Sequence, residues 1–251
     1  MKLLLFVLLI LLAFISLAEK IAEFLPERGS PFSPPSAKHI LGTDDAGNDV
    51  LRSVLLAFKN SLIMSLSAAA VSTAIGLLLG LLAGYHERAK LVDLIIDVVL
   101  VIPTLPLLIT VAFHFPPSMW AISLLIALLN WPTMARVVRA RVKQLKESGF
   151  VLSLLALGAT NSRVIFGHLI PNLREIIYAR FSILVAYTLI AESSLSFLGL
   201  GEPNKSLGGL LHYAVKRGAM LSEAWWCFTP GFVIMAISSL FVALSLKEER
   251  K

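Results

Sequence analysis

The stretch "GFVLSLLALGATNSRVIFGHLIPN", residues Gly149 to Asn172, sets the problem this chain poses. Its core, Phe150 to Leu157, carries no charge and reads as a helix. At about 1.5 Å of rise per residue such a helix cannot cross a hydrocarbon layer of roughly 30 Å. It is also too apolar to be left bare in water. Another surface has to cover it.

The surroundings of this stretch belong to a membrane. The 251 residues are 57% hydrophobic and only 15% charged, with a mean hydropathy of +0.82. That composition lies outside the soluble globular range. Apolar runs at Leu3–Ala18, Ser61–Tyr85, Val98–Phe115, Ser118–Ala135, Phe181–Gly201 and Ala224–Leu246 predict six spans. The runs are continuous rather than alternating, which predicts helices and not a barrel. The first run, with Lys2 before it and Ser16 and Ala18 near its end, fits both a secretory signal peptide and an uncut anchor; its length favours the anchor.

A net charge of +6 raises the question of nucleic acid, and the placement of the charges answers it. Arg136, Arg139, Arg141, Lys143, Lys146, Arg163 and Arg174 face only Glu147 and Glu175 within one inter-span segment. Glu19, Glu23, Glu27, Asp44, Asp45 and Asp49 outweigh the cations of the segment before the second run. This asymmetry predicts both termini inside, and the basic residues form no patch with stacking aromatics for nucleic acid. The predicted organisation is an anchor at 1–18, an external segment at 19–53, a five-helix core at 54–246 with a cytoplasmic loop at 136–174, and a tail at 247–251.

Within the spans, Gly76, Gly80 and Gly84 recur every four residues and predict a close helix–helix contact. Pro103, Pro106 and Pro132 remove backbone donors from the third and fourth runs, which predicts either simple kinks or broken helices lining a path, with Asn130 on it. Asp93 and Asp97, one turn apart, are read as structural partners for Arg88 or Lys90. Glu192 is an acid inside a span, and two readings fit it: a path or ion site, or a hydrogen-bonded structural carboxylate near its helix end.

Enzyme chemistry finds little support. No lysine follows a glycine, so a phosphate loop is excluded. The five histidines are scattered without ligand spacing, no metal site is predicted, and the single Cys227 reads as a packing residue. "GTDDAGND" (Gly42–Asp49) lacks the calcium-loop spacing and reads as a turn that caps the next helix. Ser193 and Ser194 have no base in their own helix.

"HILGTDDAGNDVLRS" (His39–Ser53), "GLLAGY" (Gly80–Tyr85), "LGATNSRVIFGHLIPN" (Leu157–Asn172) and "AESSLSFLGLG" (Ala191–Gly201) resemble, in order and topology, the permease subunits of binding-protein-dependent ABC importers, the dipeptide, oligopeptide and nickel branch above all. The resemblance covers about His39 to Leu246. It implies an all-α, six-helix type I importer permease in the cell membrane that binds no cofactor itself. Its implied partners are a second permease, cytoplasmic ATP-binding subunits that use ATP-Mg, an external solute-binding protein and the lipid bilayer. It also implies that the short apolar helix docks on the ATPase through Phe150, Leu152, Ser153, Leu154, Ala156, Leu157, Gly158, Ala159 and Thr160. The chain departs from the family pattern in several places. Leu152, Ser153 and Leu154 stand where the family has E-A-A; Ile40 and Asn48 replace a proline and an arginine; Arg52 and Ser53 reverse the usual order; and "GEPNKSLGG" (Gly201–Gly209) is short and lacks a tryptophan. Short peptides lead as substrate, with nickel complexes and oligosaccharides behind. The rival classes are a self-contained channel or secondary transporter using Glu192, an intramembrane hydrolase using Ser193 or Ser194, and a non-transporting scaffold.

Overall fold

A computed structural model describes residues 2–86, 89–114, 118–202 and 204–249. Among these the chain is helical, with elements α1 (Lys2–Phe24), α2 (Val50–Tyr85), α3 (Lys90–Val101), α4 (Thr104–His114), α5 (Met119–Lys146), α6 (Gly149–Ala156), α7 (Asn161–Val164), α8 (Ile170–Phe197), α9 (Leu207–Lys216) and α10 (Thr229–Glu249). Arg88 and Phe115, named in the sequence expectations, lie outside the described residues.

Four stretches are long and apolar enough to cross a membrane: Val50–Tyr85, Trp120–Lys146, Asn161–Phe197 and Trp225–Glu248. The pair α3 and α4 makes a fifth if taken as one span. The expected third run is therefore not a straight helix but two, meeting at 77°. Pro103 and Pro106 fall at this break, where a missing N–H and a clashing ring prevent the helix from continuing.

The 136–174 segment is mostly helix rather than loop. Helix α5 carries its basic residues on to Lys146 because acids on α3 receive them: Arg136 bonds Asp97 at 2.9 Å and Arg139 pairs with Asp93. The acids thus find partners on α5. After α7, residues Ile165–Leu169 widen into a π turn. Pro171 has no N–H for the carbonyl of Gly167, and the wider turn absorbs that loss.

Helices α2 and α5 run parallel in the centre, joined by small polar side chains. Ser72 donates to the Ala127 carbonyl at 3.0 Å, and Ser123 donates to the Met64 carbonyl at 3.1 Å. Helix α8 lies antiparallel on α2, with the Thr188 hydroxyl 3.1 Å from the Ser65 carbonyl. In an apolar layer such hydroxyls hold helices together where the hydrophobic effect cannot. Helix α1 buries Leu4, Leu11, Ala18 and Ala22 against this bundle. Phe14 meets Phe58 edge-on at 5.3 Å. Phe6, Leu9, Leu94, Phe232 and Met235 are exposed and give the bundle an apolar exterior suited to lipid.

At the Val50 end of α2, the segment after α1 folds into a compact cap. Asp49 accepts from the Arg52 N–H at 2.9 Å and starts α2, and its other oxygen lies 2.8 Å from His39 Nδ1. The Thr43 carbonyl accepts from Trp226 Nε1 at 2.9 Å, which ties the cap to the start of α10. The acid-rich turn is thus a helix cap, as its composition indicates.

Candidate functional site

At the other end of α2 lies the short apolar helix. Helix α6 spans eight residues and is anchored by Val151, which is fully buried, with Leu154 and Leu155 half-buried behind it. Phe150 and Leu152 are exposed, and Leu157 is 85% exposed. Of the docking residues expected from sequence, Leu154 and Ala159 are half-buried and the rest are exposed. The Ser153 hydroxyl turns back to the Gly149 carbonyl at 2.8 Å and offers no free donor. The result is a contiguous exposed apolar face, of the kind that partner surfaces present.

The helix ends sharply. Gly158 has φ +83, its N–H donates to the Leu155 carbonyl, and the Ala159 N–H donates to the Leu154 carbonyl, each at 3.0 Å. This is the left-handed glycine cap that terminates helices with their last carbonyls satisfied. Nothing lies within 4 Å of where a Cβ would stand, so backbone conformation alone requires the glycine. Thr160 then caps α7 by accepting from the Arg163 N–H at 3.4 Å.

A contact not anticipated from sequence joins this turn to the bundle. The Tyr85 hydroxyl donates to Asn161 Oδ1 at 2.7 Å, and the Lys146 ammonium lies 5.7 Å from the tyrosine ring centre. The ends of α2 and α5 and the residue after the α6 turn therefore share one buried aromatic. The signal was present in "GLLAGY", but only as an aromatic among small residues.

The three glycines of α2 face α5. A Cβ at Gly76 would stand 2.6 Å from Met134 Cβ, one at Gly80 2.7 Å from the Ala135 carbonyl oxygen, and one at Gly84 2.7 Å from Val142 Cβ. Real Cβ atoms do not approach backbone so closely, so the two helices touch only because these side chains are absent.

The two residues expected on a path part company. Glu192 is 2% exposed and sits among hydroxyls: Ser196 donates to it at 2.6 Å, Ser61 at 3.3 Å and Ser193 at 3.5 Å. The Ser61 hydroxyl in turn accepts from the Leu207 N–H at 3.1 Å. The side chain thereby knits α2, α8 and the start of α9, a geometry in line with the structural reading. Ser61 lies far away in sequence, so the cage is not visible there. Asn130 does line a groove, of about 350 Å³, with Thr104, Thr133, Arg180 and Tyr187. Arg180 was missed because the basic segment was ended at Arg174 and the next span begun at Phe181, and Tyr187 because it reads as one more apolar residue of that span.

A helical bundle with a bent, groove-bearing span and a short apolar helix held out at one end is the architecture of a multi-pass membrane protein with a surface left for something else. Residues 72–247 match the family of binding-protein-dependent transport system inner membrane components, and the chain belongs to that family. A putative peptide permease protein of Brucella suis biovar 1 is 32% identical over 224 residues, covering 86% of this chain and 74% of that protein. The dipeptide transport system permease protein DppC of Alkalihalophilus pseudofirmus is 33% identical over 207 residues, covering 81% of this chain and 67% of that protein. A putative peptide transport system permease protein of Brucella abortus biovar 1 is 29% identical over 248 residues, covering 94% and 82%.

Proposed function

We propose that this permease is one half of a pair that imports short peptides by alternating access, driven by separate ATP-binding subunits that dock on α6. The observation that carries the reading is the apolar face of α6, with Leu152 54% and Leu157 85% exposed on a helix too short to cross a bilayer. Family membership and the peptide permeases among its relatives support the substrate class. The chain brings no phosphate loop of its own, so ATP-Mg is bound by the partner.

In this scheme α6 lies in the cytoplasm and α1 serves as a sixth span, with 1–18 as its membrane part. Both termini are inside, and the cap at 25–49 faces the external solute-binding protein. ATP binding draws the two docked subunits together, α6 moves with its subunit, and Tyr85 and Lys146 pass that movement to α2 and α5. Phe150, Leu152, Ala156 and Leu157 make the docking contact; without the family's glutamate it rests on apolar burial. The test is uptake of labelled tri-alanine by proteoliposomes holding the whole complex. Uptake that requires ATP, the ATP-binding subunits and the binding protein is expected. Uptake without nucleotide would instead identify a channel or secondary transporter.

A further inference from the structure

Arg180 lies on α8, seventeen residues before Phe197, which is about 25 Å along the helix and within the stretch apolar enough to span a membrane. It is half-buried and has no hydrogen-bond or ion-pair partner among the described residues. Counted from Phe197, this lies toward the α6 end of a layer roughly 30 Å thick, where a half-buried guanidinium without a partner still attracts an anion. The acids nearest in kind are already engaged: Asp97 and Asp93 hold Arg136 and Arg139, and Glu192 is enclosed by serines. Among the described residues no acid pairs with it.

The groove around Arg180 is mostly apolar, with a few polar groups gathered on it. Arg180, Leu184 and Tyr187 fall on one stripe of α8, and Asn130 and Thr133 face them from α5. The Tyr187 hydroxyl also has no partner. Asn130 spends its amide on the Ile126 carbonyl at 2.8 Å and Thr133 its hydroxyl proton on the Asn130 carbonyl at 2.7 Å, which leaves their oxygens to accept from N–H groups of a guest, not to hold its carboxylate. The groove opens where the α3–α4 bend and Pro132 interrupt regular helix. Irregular backbone is tolerated at membrane depth where it lines a cavity. Its volume, about 350 Å³, falls at the lower end of small-molecule sites and exceeds the gaps left between packed side chains.

We propose that the Arg180 groove receives the carboxylate of the transported solute, with the guanidinium as its planar two-donor partner and the Tyr187 hydroxyl as a further donor. This rests on the peptide-import reading and sharpens it: the groove favours a solute with a free carboxyl end and disfavours a bare metal cation. The same carboxylate chemistry could come from an acidic side chain of the second permease, and the volume of the groove favours the solute.

The experiment compares uptake of tri-alanine and tri-alanine amide by proteoliposomes of the whole complex. Wild type, Arg180→Gln and Arg180→Lys receive solute from the same binding protein, so its own preference cancels between them. Co-purification of all subunits verifies assembly. The rate ratio of acid to amide falls about tenfold in Arg180→Gln and is largely kept in Arg180→Lys. Should Arg180→Gln fail to assemble, Tyr187→Phe lowers the same ratio about threefold. An unchanged ratio overturns the proposal, as does an equal loss for both peptides, the result expected of a pair with a neighbouring subunit. Wild-type uptake of neither peptide overturns the import reading itself, and this proposal with it.

Discussion

Gly80 and Gly158 are both glycines this chain needs, and for opposite reasons. At Gly80 the backbone is ordinary helix and the space is full: a Cβ would meet the Ala135 carbonyl at 2.7 Å. At Gly158 the space is empty and the backbone is special, with φ +83. The first marks an interface already closed inside the subunit, the second the end of a helix that, on the proposed function, is held open for the ATP-binding subunit. The α2–α5 seam is packed to contact and the α6 face is bare, which under the proposed function makes one the rigid part and the other the receiving part. Coupling needs both.

The largest expected effect comes from breaking the closed side. Gly80→Leu should destabilise the bundle by about 3 kcal/mol, because α2 and α5 must separate to admit it. Thermal unfolding in detergent should show a large fall in Tm, and an unchanged Tm would mean the seam is looser than its geometry implies. Glu192→Ala comes next, at about 2 kcal/mol, since three serine hydroxyls lose their acceptor. Glu192→Gln keeps an acceptor oxygen and should retain fold and transport; its loss of transport with normal Tm would return Glu192 to the path.

On the open side the effects are smaller and local. Gly158→Ala should cost about 1.5 kcal/mol of left-handed strain. The cost should show as faster hydrogen exchange at residues 157–160 with little change in global Tm. Tyr85→Phe, which deletes the bond to Asn161, should cost about 1 kcal/mol. If Tyr85 links the two sides, this change should also loosen the dependence of ATP hydrolysis on solute; equal stimulation in both forms would confine Tyr85 to packing.

The features legible in the sequence were those with short period or short range. The four-residue spacing of Gly76, Gly80 and Gly84, the uncharged run ending at Gly158, and the acid turn before Val50 each carry their reason within a few residues. Contacts between distant elements were hidden. Ser61, Glu192 and Leu207 meet only after α2, α8 and α9 have packed. The extent of α5 was also hidden, because a run of arginines reads as loop until Asp93 and Asp97 are known to stand opposite it. The 77° angle between α3 and α4 followed from prolines that were visible, but its size depends on what packs there. Arg180 fell on the border drawn between a basic segment and an apolar one, where a single charge is easily assigned to the wrong side.

The central claim is that α6 is the docking face for the ATP-binding subunit, and Leu157→Glu tests it most directly. Leu157 is 85% exposed, so the change should leave stability within about 0.5 kcal/mol. The measurement is affinity purification of the tagged chain with its complex, wild type beside variant, in mild detergent. The account predicts that the second permease stays in both preparations and the ATP-binding subunit is lost from the variant. Retention of that subunit at the wild-type level would contradict it, and the bare face of α6 would then need another partner.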